Sequence, residues 1–530
     1  MPTLHWIGKE KVVNHHRDVP FRVLEPTYTF TTEQNTADGQ SSAAGNKIIH
    51  GDNLEALKAL LPEYEGKVKC IYIDPPYNTG NESWVYNDNV NDPKMQRWLQ
   101  QVVGKEGEDL TRHDKWLCMM YPRLKLLHKL LASDGAIFIS IDDNAQGFLR
   151  PLVDEVFGVG NFVTNIIWEK ADSPRNSARQ FSTDHDYIMV YSKNTDWVPN
   201  RLPRNEASNS IYSNPDKDPR GPWLPGDPYA NKPYSKGLYT VEGPTGRSFS
   251  PPQGRFWRIS EEKLRDLDND GRIWWGPNGS ARPSIKRYLS EVSDLVPRTL
   301  WKKDEVGSNR TSKNEINLLF PESASFDTPK PSLLIERILR LATDKDSIIL
   351  DSFAGSGTTA HAVLNLNKED GGNRKFILIE MEDYAESITA ERVKRVMQGY
   401  GEGSKAVAGT GGDFTYYTLG PCLFDKENNL NEAVGLERIR QYIWYSETRS
   451  PYLASVTVSD AHFLGRLHST AYYFVYEPNQ ITNLDYDFLA TVTHKAEQYV
   501  IYADNCLLPK ELLQKYNIVF KKIPRDISRF

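Results

Sequence analysis

The chain has 530 residues, a formal net charge of −6 and 39% hydrophobic residues, which is enough for two or three domains with packed cores. An acidic balance excludes a protein that is basic all over, so any nucleic-acid contact must come from a local basic face. Cys70, Cys118, Cys422 and Cys506 lie far apart with no C-x-x-C pair, which argues against a zinc site or a disulfide framework, and no signal peptide or bilayer-length apolar run is read, so a reducing, cytoplasmic setting is expected, with no membrane contact.

Residues 1–45 begin with an aromatic-basic stretch and continue, over 31–45, as polar sequence that reads as loop or disorder. His15-His16 has no third ligand in register, so no metal is expected there. Lys47–His50 and Val68–Ile73 read as buried strands. The second runs into Asp74-Pro75-Pro76-Tyr77. Two prolines fix φ and remove two backbone N–H donors. Their carbonyls are therefore free to face a ligand beside one carboxylate and one aromatic face. Such a set suits a planar ring bearing an exocyclic amine, with Asp74 and the Pro75 carbonyl accepting from the amine and Tyr77 stacking on the ring. A Pro-Pro turn after any strand is the plainer alternative.

Further along, apolar spacing predicts a helix over 114–132, a strand over 136–141, a helix over 145–156 and a strand over 186–191. Residues 171–322 differ in character, with many Pro, Gly, Arg and Trp residues and little periodicity. Residues 201–310 carry 19 basic against 14 acidic side chains, and Arg220, Arg255, Arg258, Arg272 and Arg282 are the candidates for phosphate or base contact. The tryptophans of this stretch are expected to pack a small core instead.

A second turn follows the strand at 347–350: Asp351, Ser352, Phe353, Ala354, Gly355, Ser356, Gly357, Thr358. It opens a helix over 359–366. Glycines at a strand-to-helix turn let backbone approach a ligand, and the helix start offers free N–H groups. The spacing matches neither the dinucleotide fingerprint nor a phosphate loop. The next strand, 375–379, ends in Glu380, placed to accept from two ribose hydroxyls. A nucleoside is the implied ligand. Beyond it come a helix over 384–398 and a Gly-rich linker over 399–412. A smaller α+β region over 413–530 has strands at 471–476, 498–502 and 516–522 and a helix at 509–515. No internal repeats are seen.

With D-P-P-Y ahead of F-x-G-x-G and a long insert between them, the chain resembles the S-adenosyl-L-methionine-dependent DNA amino-methyltransferases of the β order. It is most similar to the modification (Mod) subunits of type III restriction-modification systems. I-I-H-G-D-N-L-E-A-L, W-L-C-M-M-Y-P-R-L-K-L-L, G-A-I-F-I-S-I-D-D-N and K-P-S-L-L-I-E-R-I-L support the resemblance.

The resemblance implies an α/β fold. Its core is a doubly wound, mostly parallel, seven-stranded sheet in permuted order, in which the strands before Asp351, Glu380, Asp52 and Asp74 are first to fourth. It divides the chain into an N-terminal extension (1–45), a catalytic half (46–170), a target-recognition insert (171–322), a cofactor half (323–400) and a C-terminal α+β domain (413–530). It also implies methylation of adenine N6 in double-stranded DNA after base flipping. Asp74, Pro75, Pro76 and Tyr77 would be catalytic. S-adenosyl-L-methionine would be held by Asp52, Lys330 and Asp351, by Phe353, Ala354, Gly355, Ser356, Gly357 and Thr358, and by Glu380. A homodimer and a restriction (Res) subunit are the implied partners. N4-cytosine methylation, RNA methylation and a non-catalytic DNA-recognition subunit stay open as alternatives.

Overall fold

Short, largely apolar runs buried over most of their length form the middle of the main sheet, as parallel strands covered on both faces do. The structure is a computed structural model, and it describes residues 3–32, 45–78, 97, 112–322, 326–452 and 461–530. In chain order the strands are β1 (Arg22–Thr31), β2 (Lys47–His50), β3 (Val68–Ile73), β4 (Leu131–Ile141), β5 (Phe162–Glu169), β6 (His185–Ser192), β7 (Leu300–Trp301), β8 (Ile348–Asp351), β9 (Lys375–Glu380) and β10 (Asp413–Cys422).

Their spatial order is β1-β10-β2-β9-β8-β3-β4-β6-β5-β7. From β10 to β4 every neighbouring pair is parallel, and β4-β6-β5 is antiparallel. The seven strands expected are therefore present in the permuted order, and three more extend the sheet to ten among the described residues. All three come from stretches assigned otherwise, β7 from the presumed target-recognition insert. β1 lies in the presumed extension, and β10 opens the presumed C-terminal domain, pairs with β2 in parallel and carries β1 on its outer side.

The helices that matter are α1 (Asn53–Tyr64), α2 (Arg112–Leu130), α3 (Gln146–Phe157), α4 (Asn309–Leu319), α5 (Ser332–Ala342), α6 (Thr358–Asp370), α7 (Glu391–Gln398) and α8 (Leu436–Thr448). α1, α2 and α3 pack in succession, and so do α5, α6 and α7. Ile71 and Ile73 of β3 join the core of the first group. The alternation of strand side chains turns Cys70 and Tyr72 the other way.

Two boundaries differ from expectation. Val68 pairs with Leu131 but Cys70 with Ala136, so Ser133-Asp134-Gly135 bulges out of a strand that begins at Leu131 rather than at 136. The Gly-rich stretch 399–412 is not a free linker. Gly399–Tyr400 and Val407–Ala408 form a short antiparallel pair, and glycine is needed at Gly409 because a Cβ there would lie 2.4 Å from the Met397 carbonyl oxygen. The C-terminal region is α+β as expected: β11 (Phe463–Leu467), β12 (Thr470–Phe474), β13 (Gln498–Ala503) and β14 (Ile518–Lys522) form a sheet in chain order.

Residues 201–297 form a separate compact unit, narrower than the insert expected from sequence; 171–200 and 298–322 belong with the main unit. The core of the smaller unit is Tyr229, Val241, Phe249, Trp257, Leu264, Ile273 and Trp275. Most of its tryptophans are packing residues, as expected.

Candidate active site

β8 lies between β9 and β3. Ile349 pairs with Cys70, Asp351 with Leu378, and Glu380 with His50. These registers bring the carboxyl ends of four strands level. The turns that follow, at Asp52, Asp74 and Phe353, therefore gather with Glu380 on one edge of the sheet, although Asp74 and Phe353 are roughly 280 residues apart in sequence. Ligands bind at this edge in open α/β sheets.

Gly355 and Gly357 take φ of 57° and 80°, a conformation that costs glycine little. A Cβ on Gly357 would come within 3.0 Å of the Thr389 carbonyl oxygen. The loop is held from beneath. Asp351, 2% exposed, accepts from the Phe353 N–H at 3.0 Å and from Thr359 Oγ1 at 2.5 Å. Both its oxygens are thus engaged in shaping the turn, whereas the sequence placed Asp351 among cofactor contacts. Glu380 accepts from the backbone N–H groups of Gly355, Met381 and Glu382 at 2.8, 2.9 and 3.0 Å. Burial pushes the carboxyl groups of Asp351 and Glu380 each up to about 7, against those hydrogen bonds.

Several residues that support this loop were not found from sequence. Thr389 Oγ1 donates to the Gly355 carbonyl at 2.5 Å. Thr389 lies in a π-helical turn, Glu386–Ala390, that leads into α7; such turns push one residue out of the helical path. Arg392 is fully buried and donates to Ser356 Oγ, Thr358 Oγ1, His361 Nδ1 and Glu315 Oε2 at 2.8–3.1 Å. Burial lowers His361 to about 4, consistent with a neutral ring that accepts from Arg392. An arginine beside Val393 and Val396 on the apolar stripe of α7 was the available signal.

On the other turn, Asp74 is half-buried, Pro75 and Tyr77 are buried, and Pro76 is half-buried. The Pro76 carbonyl accepts from Trp116 Nε1 of α2 at 2.6 Å. Among the described residues the Pro75 carbonyl has no hydrogen-bond partner, which leaves it able to face a ligand. Burial, then the Asp74 carboxylate, raise the Tyr77 hydroxyl well above the phenol range. Asn78 takes φ of 60°, and its side-chain Nδ2 donates to His113 Nδ1 at 2.9 Å. Thr79 and Gly80, which complete the D-P-P-Y-N-T-G stretch, lie outside the described residues. Lys330 reaches Asp74: its Nζ is 2.5 Å from Oδ2.

Asp52 caps α1 by accepting from the Leu54 and Glu55 N–H groups at 2.8 and 3.3 Å. Its Oδ2 lies 3.7 Å from buried Arg123. Asn53 ties the start of α1 to the glycine-loop turn, accepting from Arg123 Nε of α2 and donating to the Ser352 carbonyl at 3.2 Å.

The arginines nominated for nucleic acid lie in the 201–297 unit and divide into two sets. Arg220 pairs with Asp218 and Asp270, and Arg272 with Asp270 and both oxygens of Glu291, at 2.6–3.1 Å. Both guanidinium groups flank the Tyr288 ring. These two hold the unit together. Arg255, Arg258 and Arg282 instead converge on Tyr229. Arg255 lies over its ring and pairs with Asp227, Arg258 donates to its carbonyl, and Arg282 faces its hydroxyl. Exposed Arg287, absent from the sequence candidates, runs along neighbouring Gly226. Among the described residues, Asp227 is the one carboxylate ion-paired with any of these four.

No group of three or more His, Cys, Asp or Glu side chains gathers to hold a metal among the described residues, and no described helix is long and apolar enough to cross a membrane.

Residues 68–391 match the family model described as DNA methylase, of the N6/N4 type. The chain is 37% identical over 390 residues to the type III restriction-modification enzyme StyLTI Mod subunit of Salmonella typhimurium, covering 71% of this chain and 57% of that one. It is 32% identical over 447 residues to the EcoPI Mod subunit of Escherichia phage P1, covering 72% and 64%. It is 32% identical over 382 residues to the type II methyltransferase M.KpnI of Klebsiella pneumoniae, covering 67% and 85%. The chain thus spans about three fifths of the length of the Mod subunits it matches. With the family model covering well over half its length, the chain belongs to the N6/N4 DNA methylase family.

Proposed function

We propose that the chain is an S-adenosyl-L-methionine-dependent DNA methyltransferase that modifies adenine N6, and that it serves as the modification subunit of a type III restriction-modification system. The observation that carries the chemistry is the adjacency of β3 and β8, which sets the Asp74 turn beside the Phe353–Thr358 loop. The similarity to Mod subunits supports the system.

The residues present fit the cofactor. Gly355 and Gly357 leave a loop surface without side chains, and Ser352 Oγ and Asp74 Oδ1 are buried without a well-formed hydrogen bond. Phe353 and the loop backbone would hold the nucleoside, Glu380 its ribose hydroxyls and Asp52 its adenine. When bound, S-adenosyl-L-methionine supplies an electrophilic methyl group. Asp74 and the Pro75 carbonyl accept from the target amine and draw its lone pair out of conjugation with the ring. Tyr77 presents its face to the extruded base, which must leave the duplex to reach this depth. Positioning and exclusion of water supply most of the acceleration.

The 201–297 unit reads the DNA, with Arg255, Arg258, Arg282 and Arg287 as its phosphate-contacting set. A homodimer in the bacterial cytoplasm, associated with the nucleoid and with a Res partner contacted through residues 413–530, completes the reading. Incubation with methyl-labelled cofactor and unmodified plasmid DNA, followed by digestion to nucleosides, tests it. Label in N6-methyldeoxyadenosine supports it; label in N4-methyldeoxycytidine or no transfer overturns it.

A further inference from the structure

Lys330 touches both turns of the site. It lies just ahead of α5 and is 8% exposed. Its Nζ is 2.5 Å from Asp74 Oδ2 and 5.1 Å from the centroid of the Tyr77 ring. Its backbone carbonyl accepts from Thr358 Oγ1, the first residue of α6, at 3.3 Å. Thr358 is in turn fixed by buried Arg392 at 2.8 Å. A continuous run of hydrogen bonds therefore leads from the glycine loop, through the backbone and side chain of one lysine, to the acid of the other turn.

We propose that Lys330 is a positioning residue for Asp74 and not a cofactor ligand. The ion pair occupies Oδ2 and fixes the plane of the carboxylate. Oδ1, buried and without a well-formed hydrogen bond, is left as the acceptor presented to the amine that is methylated. The charge pattern supports this role. Asp74 adds to the upward push on the buried Asp351 carboxyl, and Lys330 is the cation placed against Asp74. Lys330 also acts on Asp186, which has its own partner in Lys170 at 2.5 Å. Acids and cations are thus interleaved around Lys330, and an uncompensated carboxylate there would turn toward water or toward a backbone donor. A buried ammonium beside one carboxylate oxygen costs its partner one acceptor position but fixes the direction of the other, and fixed direction is what in-line transfer requires.

The proposal rests on the methyltransferase reading, and its test separates the two. The full chain and its Lys330→Met, Lys330→Gln and Lys330→Arg variants are compared by calorimetric titration with S-adenosyl-L-methionine in the absence of DNA, and by single-turnover methyl transfer to plasmid DNA at saturating cofactor. Lys330→Met and Lys330→Gln are expected to slow transfer by roughly a hundredfold, the cost of a small misplacement of a reacting group, with cofactor affinity changed by less than about threefold. Lys330→Arg, which can still pair with Asp74, is expected to recover roughly a tenth of the wild-type rate or more. Cofactor affinity that falls in step with the transfer rate would make Lys330 a cofactor ligand and overturn the proposal. So would transfer that is unchanged in Met and Gln. Should Met disturb folding, as thermal melting would reveal, Gln and Arg carry the comparison. If the wild-type chain binds cofactor but transfers no methyl group, the functional reading fails first, and that outcome is distinct from either of the others.

Discussion

Thr359 Oγ1 donates to Oδ2 of Asp351 at 2.5 Å, which ties the first turn of α6 to the end of β8. With the Phe353 N–H on Oδ1, the acid acts as a clamp that closes the glycine loop from below. A buried clamp of this kind is sensitive to protonation. The folded-state value of Asp351 is pushed up to about 7 from an ordinary 3.8, so the folded protein holds this proton more tightly than the unfolded chain. The stabilisation it gives is fully present below about pH 4 and is lost as pH rises through about 7, at about 1.4 kcal/mol per pH unit of separation. Replacing Asp351 by Asn is expected to flatten this part of the stability profile, measured by urea unfolding between pH 4 and 8. An unchanged slope would remove Asp351 from the account.

Glu380 carries the complementary prediction on binding. Its carboxyl is also raised to about 7, chiefly by burial. Ribose hydroxyls donate best to an ionised carboxylate, so cofactor affinity should strengthen as pH rises across the neutral range. Glu380→Gln is expected to weaken binding by roughly tenfold or more and to abolish that pH dependence, since a hydrogen bond to a charged group is worth about 1.5–3 kcal/mol. Calorimetry at several pH values reads both effects.

Buried Arg392 pairs with half-buried Glu315 at 3.0 Å. Arg392→Met removes one partner and leaves the Glu315 carboxylate uncompensated, with an expected loss of about 3–5 kcal/mol in unfolding free energy. It also frees Ser356 and Thr358 from their donor, so cofactor affinity should fall at temperatures where the variant is still folded.

The two sets of arginines in the 201–297 unit should behave differently. Ala at Arg258, Arg282 or Arg287 is expected to weaken DNA binding similarly for any sequence and to reduce the slope of log affinity against log salt by about one unit each. Ala at Arg220 or Arg272 breaks carboxylate pairs and should lower the melting temperature of the unit with little change in that slope. Fluorescence anisotropy on a duplex across a salt series distinguishes the sets.

The sheet was legible where chemistry is local. β3, β8 and β9 are largely apolar runs ending in turn residues, because strands covered on both faces are apolar over most of their length. β1 was not legible. It is an outer, partly exposed strand with Pro26 in its middle and register shifts on either side of that residue, so it shows neither a run nor a clean alternation. β10 was hidden behind a Gly-rich stretch whose folding back depends on contacts with α7. In the site, the two turns were readable because each combines rare residue types in a short span. Lys330 was placed on the cofactor side, and its pairing with an acid 256 residues away has no local signature. The same holds for Arg272, whose bidentate partner Glu291 is 19 residues on; spacing showed the charge but not what it meets.

The central claim is that the Asp74 turn does the chemistry while the neighbouring glycine loop does the binding. Asp74→Ala, measured for both activities in one preparation, tests it most directly. Methyl transfer to plasmid DNA is expected to fall by roughly a thousandfold or more, with affinity for S-adenosyl-L-methionine within about threefold of wild type. Transfer that persists at the wild-type rate in that variant would contradict the account.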